Sequence, residues 1–249
     1  MGCLLPIWNT KRATARRVKQ RIAAVLEYSI AKGFRDDNPA AALTAALPKN
    51  GTAKRHFKAL HYSRVADAIA TVHGSGAHIG TRLAFEFMVL TAARSGEVRL
   101  AIWNEVDFDA ALWTIPASRM KAKREHRVPL SPRALAVLQE AAEYANGSRL
   151  IFPSATGRTM SDNTLSKLLR DNGVKGVPHG FRSSFRDYAA EQTNAPRAVM
   201  EAALAHVVGG TEGAYFRSDV MEKRRKLMIS WEQYLRRDSQ TKVVHFPAS

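Results

Sequence analysis

Side chains suited to chemistry on a phosphate ester are spread along this chain. Arg94 stands in Thr91-Ala92-Ala93-Arg94-Ser95-Gly96-Glu97, and a basic run, Met120-Lys121-Ala122-Lys123-Arg124, follows. Pro178-His179-Gly180-Phe181-Arg182 and Leu204-Ala205-His206 come next, with Tyr215 nine residues beyond His206. Breaking a phosphodiester by transesterification puts extra negative charge on its non-bridging oxygens, which cationic side chains can neutralise. Arg94 and Arg182 read as a clamp, because a planar guanidinium takes two oxygens and keeps its charge at any accessible pH. His179 and Arg182 are three residues apart, so on a helix they share a face. Tyr215 reads as the nucleophile: a phenol, with an ordinary pKa of ~10, attacks only where positive neighbours lower that value. Of the six tyrosines, Tyr188 is the competitor, being on the predicted helix of Arg182, but a six-residue offset turns it away from that face. Lys121, Lys123 and Arg124 share one turn, and a basic turn also serves to grip a phosphate backbone.

These residues need a scaffold, and the hydrophobic pattern supplies one. Thr14 reads as the cap of a helix from Ala15 to Ala31 with Val18, Ile22, Val25 and Leu26 on one face. Arg16, Arg17, Lys19 and Arg21 fall mostly elsewhere on it. The turn-rich passages Asp36-Asp37-Asn38-Pro39 and Pro48-Lys49-Asn50-Gly51 close this unit. Helices are predicted from Ser63 to Val72 and from Thr81 to Arg94. Short strands follow at Val106–Phe108, Leu112–Pro116 and Arg127–Leu130, the last two joined by the basic turn. Ser131-Pro132 starts a helix to Ala145, and further helices are expected at 161–171, 179–191, 196–206 and 220–237. The fold class is α+β: a mainly helical domain with one small three-stranded antiparallel sheet. The expected division is 1–47 helical DNA-binding unit, 48–60 linker, 61–237 catalytic domain and 238–249 tail.

Composition narrows the partner. The 249 residues carry 38 Lys and Arg against 22 Asp and Glu, a net charge of +16. Residues 1–60 hold 12 of the basic and 3 of the acidic side chains. Such a balance suits a polyanion, and double-stranded DNA leads the candidates. Lys54 and Arg55 in the linker join Arg16, Arg17, Lys19, Arg21, Lys123 and Arg124 as expected backbone contacts. Cys3 is the only cysteine, so no disulfide framework or cysteine-rich zinc site is available. No apolar run reaches the ~18 residues of a membrane span, and no secretion signal opens the chain. Phosphate-loop, dinucleotide and zinc-helix motifs are missing, and no cofactor or metal is expected.

The order Arg, Lys, His-x-x-Arg, His, Tyr, carried by the motifs quoted above, resembles the tyrosine site-specific recombinases, in particular the temperate-phage and genomic-island integrases. The likeness runs from about Leu5 to Leu235. It implies cleavage and rejoining of DNA through a 3′-phosphotyrosine, without metal or ATP, with strands exchanged in pairs through a Holliday junction. Lys121 is implied as the general acid for the departing 5′-hydroxyl, His179 and His206 as proton-handling phosphate ligands, and Glu97 as a support for Arg94. It also implies a dimer or tetramer on DNA attachment sites, self-association through the C-terminal helix, accessory DNA-bending proteins, and a bacterial cytoplasmic location at the nucleoid. Integrases of this kind have more chain before the segment that Leu5 resembles, so an N-terminally truncated chain is expected. The competing readings are a non-catalytic DNA-binding remnant, a type I topoisomerase and, more distantly, an RNA-binding protein. Phosphate contacts release counterions, so the affinity for duplex DNA should fall steeply and linearly on a log–log plot between ~50 and ~200 mM salt. Fluorescence anisotropy checks this, and a flat response would remove the electrostatic reading of the basic N-terminal quarter.

Overall fold

The computed structural model describes Gly2 and residues 4–47, 59–206 and 220–240. The chain divides into two compact units, Met1–Arg55 and His56–Ser249. Most of the predicted linker, the DNA-contact candidates Lys54 and Arg55, and Tyr215 lie outside the described residues.

Among the described residues the first unit has three helices, α1 (Leu5–Trp8), α2 (Arg12–Ala31) and α3 (Pro39–Ala46). Helix α2 begins two residues before Thr14, which is therefore inside the helix and not its cap. Helix α3 occupies a stretch expected to be turn. Asn38 starts it by accepting from the Ala40 amide at 3.0 Å, with Pro39 in the first turn, where a missing N–H is harmless. The Asn38 amide group also donates to Glu27 on α2 at 2.6 Å, holding the two helices together. Arg16, Arg17 and Arg21 are exposed along α2, and Lys19 is half-buried.

The second unit is built round one apolar helix. It contains α4 (Val65–His73), α5 (Ile79–Thr91) and α6 (Ser95–Arg99). A sheet of β1 (Val106–Asp107), β2 (Leu112–Ile115) and β3 (His126–Pro129) follows, then α7 (Pro132–Tyr144), α8 (Thr164–Asp171), α9 (Gly180–Gln192), α10 (Arg197–Ala203) and α11 (Met221–Gln240). Every residue of α5 from Leu83 to Thr91 is buried, and α4, α6, α7, α8, α9 and α11 all pack on it. The strands run antiparallel in the order β1-β2-β3, with Trp113 opposite Val128 and Ile115 opposite His126. Trp113 turns its ring onto Phe87 of α5, centroids 5.3 Å apart, which fastens the sheet to the central helix.

Glu86, the one charged side chain in the buried half of α5, is held by partners from two other helices. It accepts from His73 Nε2 at 2.7 Å and from Arg133 Nε and Nη2 at 2.6 and 2.8 Å. Burial pushes its carboxyl up, but these bonds outweigh burial and hold it below the usual range.

Helix α11 packs on α4, α5, α9, α10 and β3. Leu227, Met228, Trp231 and Leu235 are buried, and Trp231 Nε1 donates to the Val89 carbonyl at 3.0 Å. Its apolar face is thus occupied within its own domain, so self-association through this helix would have to use its other faces. Tyr188 belongs to the same cluster. Its ring lies 4.9 Å from Trp231 and its hydroxyl bonds Ser230 Oγ at 2.7 Å, which makes it a packing residue. No described helix is long and apolar enough to cross a membrane.

Removing the Trp231 side chain empties the centre of this cluster, so Trp231→Ala should destabilise the domain by about 3–5 kcal/mol. Tyr188→Phe keeps the ring and should cost only about 1 kcal/mol. Urea denaturation separates the two, and equal losses would contradict the packing described.

Candidate active site

Arg94 is held by its own helix start. The apolar helix α5 ends at Thr91, three residues short of the expected Arg94, because Ala92 takes a left-handed conformation at φ 49°. The chain then turns and restarts at α6, with Arg94 at the N-cap. Glu97, one turn into α6, accepts from the Arg94 backbone N–H and from Nη1, both at 2.7 Å. One buried carboxylate therefore fixes both the backbone and the guanidinium of Arg94.

Arg182 is held more tightly. It is 5% exposed and sits in the first turn of α9, with His179 at the N-cap. Its Nη1 donates to the Ala92 carbonyl and its Nη2 to the Leu204 carbonyl. Residue 92 is left-handed, and so is Ala205 just after Leu204, at φ 48°. Each costs an alanine about 1–2 kcal/mol. Both bends aim carbonyls at the same guanidinium, a strain of the kind found at working sites. Among the described residues no partner is found for Nε. Burial first, then the positive charge of Arg94, pushes Arg182 down to about 10, Glu97 opposing.

His179 shows which cations share the site. Its pKa is lowered by burial and then by the charges of Arg182, Arg94, His206 and Lys121, in that order. Four of the candidates among the described residues thus act on the fifth, His179. Lys121 is the hairpin cation in this field; Lys123, left-handed at φ 54°, and Arg124 are exposed at the hairpin tip.

Arg119 fixes the base of that hairpin. Its Nη1 donates to the Glu97 carbonyl at 3.1 Å and its Nη2 to Glu105 Oε2 at 2.5 Å. Trp113 Nε1 reaches the same Glu105 oxygen at 3.0 Å. With Met120 buried between, Lys121 is positioned by the same short helix that holds Arg94.

His206 closes the site beside α10. Its Nδ1 lies 2.6 Å from Glu201 Oε2.

Three groups at the site were missed at the level of sequence. Arg119 and Glu201 find their partners through the fold, and nothing in their local pattern marks them. His126 was passed over because the third strand begins one residue earlier than expected. It hydrogen-bonds the Ala203 backbone, and burial, followed by the charges of Arg224, Arg182 and Arg94, pushes its imidazole down to about 3. It is a neutral linker between β3 and the end of α10, set among three arginines.

Comparison with known proteins identifies the family. The phage integrase family model matches residues 58–222, and the phage integrase central domain model matches residues 1–46. The chain belongs to the phage integrase family. The integrase of Enterobacteria phage P4 is 34% identical over 245 residues, covering 90% of this chain and 55% of that protein. Prophage integrase IntA of Escherichia coli (strain K12) is 36% identical over 223 residues, covering 88% and 53%. The chain therefore spans about half the length of the curated relatives it matches. A lambda integrase (residues 75–356) dimer bound to a COC′ core site shares the fold at a TM-score of 0.63. It is 20% identical, with 88% of this chain and 78% of that one covered.

The half-buried, neutral His126 gives the integrase domain a pH signature. In the unfolded chain a histidine takes up its proton near pH 6.5, whereas His126 in the fold refuses it until about pH 3. Its contribution is complete above pH 6.5 and is lost as pH falls toward 3, at up to ~1.4 kcal/mol per pH unit. Wild type should therefore lose more stability than His126→Gln between pH 7 and pH 5 in urea denaturation. Equal losses would contradict the neutral histidine described.

Proposed function

We propose that this chain is the catalytic part of a tyrosine recombinase that cuts and rejoins double-stranded DNA at attachment sites. Arg94 and Arg182 clamp the non-bridging oxygens of the scissile phosphate. Tyr215 attacks phosphorus through its phenolic oxygen, the bond to the 5′ oxygen breaks, and a 3′-phosphotyrosine remains. Lys121 gives a proton to the departing 5′ oxygen. His179 and His206 hydrogen-bond the phosphate and handle the tyrosine proton. Attack by a 5′-hydroxyl reverses the steps, so the energy of the broken bond is kept and no ATP is needed.

The observation that carries this reading is the convergence of Arg94, Lys121, Arg182 and His206 on His179. Such a concentration of positive charge is unfavourable without an anion and strongly stabilising as charge develops on a phosphate. Family membership supports the same chemistry. Arg16, Arg17, Lys19, Arg21, Lys54, Arg55, Lys123 and Arg124 are proposed to grip the DNA backbone. Assembly as a dimer or tetramer on DNA, help from DNA-bending proteins and action at the bacterial nucleoid belong to the same proposal.

Supercoiled plasmid, incubated with the protein in EDTA and stopped with detergent, tests it without knowledge of the target sequence. Relaxed DNA and a covalent protein–DNA adduct are expected, both lost in Tyr215→Phe while salt-sensitive binding persists. An adduct that survives Tyr215→Phe would move the nucleophile elsewhere. Binding without any adduct in the wild type would favour a DNA-binding remnant.

A further inference from the structure

Glu201 lies five residues before His206, in the last turn of α10, and is 8% exposed. Its two oxygens face different partners. Oε2 is 2.6 Å from His206 Nδ1, and Oε1 accepts from Arg186 Nη2 at 2.7 Å and Nε at 3.2 Å. The His206 backbone N–H also donates to the Glu201 carbonyl at 2.9 Å. Burial pushes the Glu201 carboxyl up, but the bonds from His206 and Arg186 prevail and keep it below the usual range. It is thus an acceptor at neutral pH, which requires the proton of the shared bond to be on His206 Nδ1.

Arg186 follows Arg182 by one helical turn. Arg182 holds the Leu204 carbonyl while Arg186 holds the Glu201 carboxylate, so α9 grips the His206 segment at two successive levels. The imidazole is thereby tied from its own backbone, from α10 and, through Glu201, from α9.

We propose that Glu201 is a positioning residue for DNA cleavage, fixing the tautomer and ring plane of His206 so that Nε2 is the nitrogen presented to the scissile phosphate. A carboxylate behind an imidazole also stabilises the ring when its far nitrogen takes up a proton. The inference rests on the proposed recombinase reaction, in which His206 contacts the phosphate, and it adds a residue to that machinery.

Nitrogen-15 NMR of the His206 ring together with single-turnover plasmid cleavage tests it in the full chain. In wild type the ring should show a protonated Nδ1 and a pyridine-like Nε2. In Glu201→Gln the tautomers should mix, and cleavage should slow by about 10–100-fold, as for other groups that orient a working histidine, with DNA affinity unchanged. Arg186→Met removes the latch between α9 and α10 but leaves the Glu201 bond to His206. It should lower the melting temperature while retaining the wild-type tautomer and a cleavage rate within about threefold. A Glu201→Gln protein that cuts at the wild-type rate with an unchanged tautomer would overturn the proposal. So would an Arg186→Met protein as slow as Glu201→Gln with the tautomer intact, because Glu201 would then be only a structural tie. If the wild type forms no Tyr215-dependent adduct, the recombinase reading falls and the role given to Glu201 in cleavage falls with it, whereas normal wild-type cleavage beside a failed Glu201 result removes the positioning role alone.

Discussion

The buried guanidinium of Arg182 is the interaction on which the site depends. It ties the turn after α5, through Ala92, to the segment after α10, through Leu204. The first of these carries Arg94 two residues on, and the second carries His206 two residues on. A single side chain from α9 therefore sets the separation of the other two groups. A lysine could not replace it, since an ammonium has no planar fork to satisfy two carbonyls approaching from different elements. Both bends depart from ordinary backbone at an alanine, so the carbonyl positions that suit Arg182 are maintained against a local preference.

Mutual repulsion is the second constraint. The charge of Arg94 lowers the pKa of Arg182, and Lys121, Arg224 and three histidines share their neighbourhood. The fold tolerates this by keeping His126 and His179 biased toward the neutral form and by setting Glu97 against Arg94. The remaining imbalance amounts to preorganisation under the proposed reaction: the fold has already met the cost of bringing like charges together, and a phosphate placed between them would relieve it.

Much of this was legible in the sequence, because helices of two or more turns announce themselves by period and because Arg94, His179, Arg182 and His206 lie within recognisable motifs. The elements that escaped are those where local signals are weakest. Helix α6 has five residues, too few for a period, and its N-cap is an arginine where Ser, Thr, Asp or Asn would be expected. Arg94 was therefore assigned to the end of one helix when it starts another. Helix α3, Pro-Ala-Ala-Ala-Leu-Thr-Ala-Ala, was hidden by the turn residues before it. A shift of one residue at the start of β3 concealed His126, since strand boundaries have no cap chemistry to mark them. Glu201 and Arg119 were invisible for a different reason: Arg186, Glu97 and Glu105 lie 14 to 22 residues from the side chains they pair with, and only the fold brings them together.

The placement of acidic side chains connects these observations to the electrostatics of the whole chain. Glu86, Glu97, Glu201 and Glu232 are all buried in the second unit, while no lysine or aspartate is buried among the described residues. Each of the four bonds to an arginine, through its side chain or, for Glu232, through the Arg133 backbone N–H at 2.9 Å. Glutamates are thus drawn inward to hold arginines, whereas the buried Arg182 and Arg224 are satisfied by backbone carbonyls instead. A protein with a net charge of +16 thus commits several of its few acidic side chains to interior arginines and, among the described residues, leaves most of its lysines and arginines outside. Truncating Glu86 or Glu97 would take from a partly buried guanidinium its buried carboxylate, a loss that exceeds the net value of the pair itself. Attraction for a polyanion and cohesion of the domain are consequently separate properties of the same charge distribution, the first set by what remains at the surface and the second by what has been withdrawn from it.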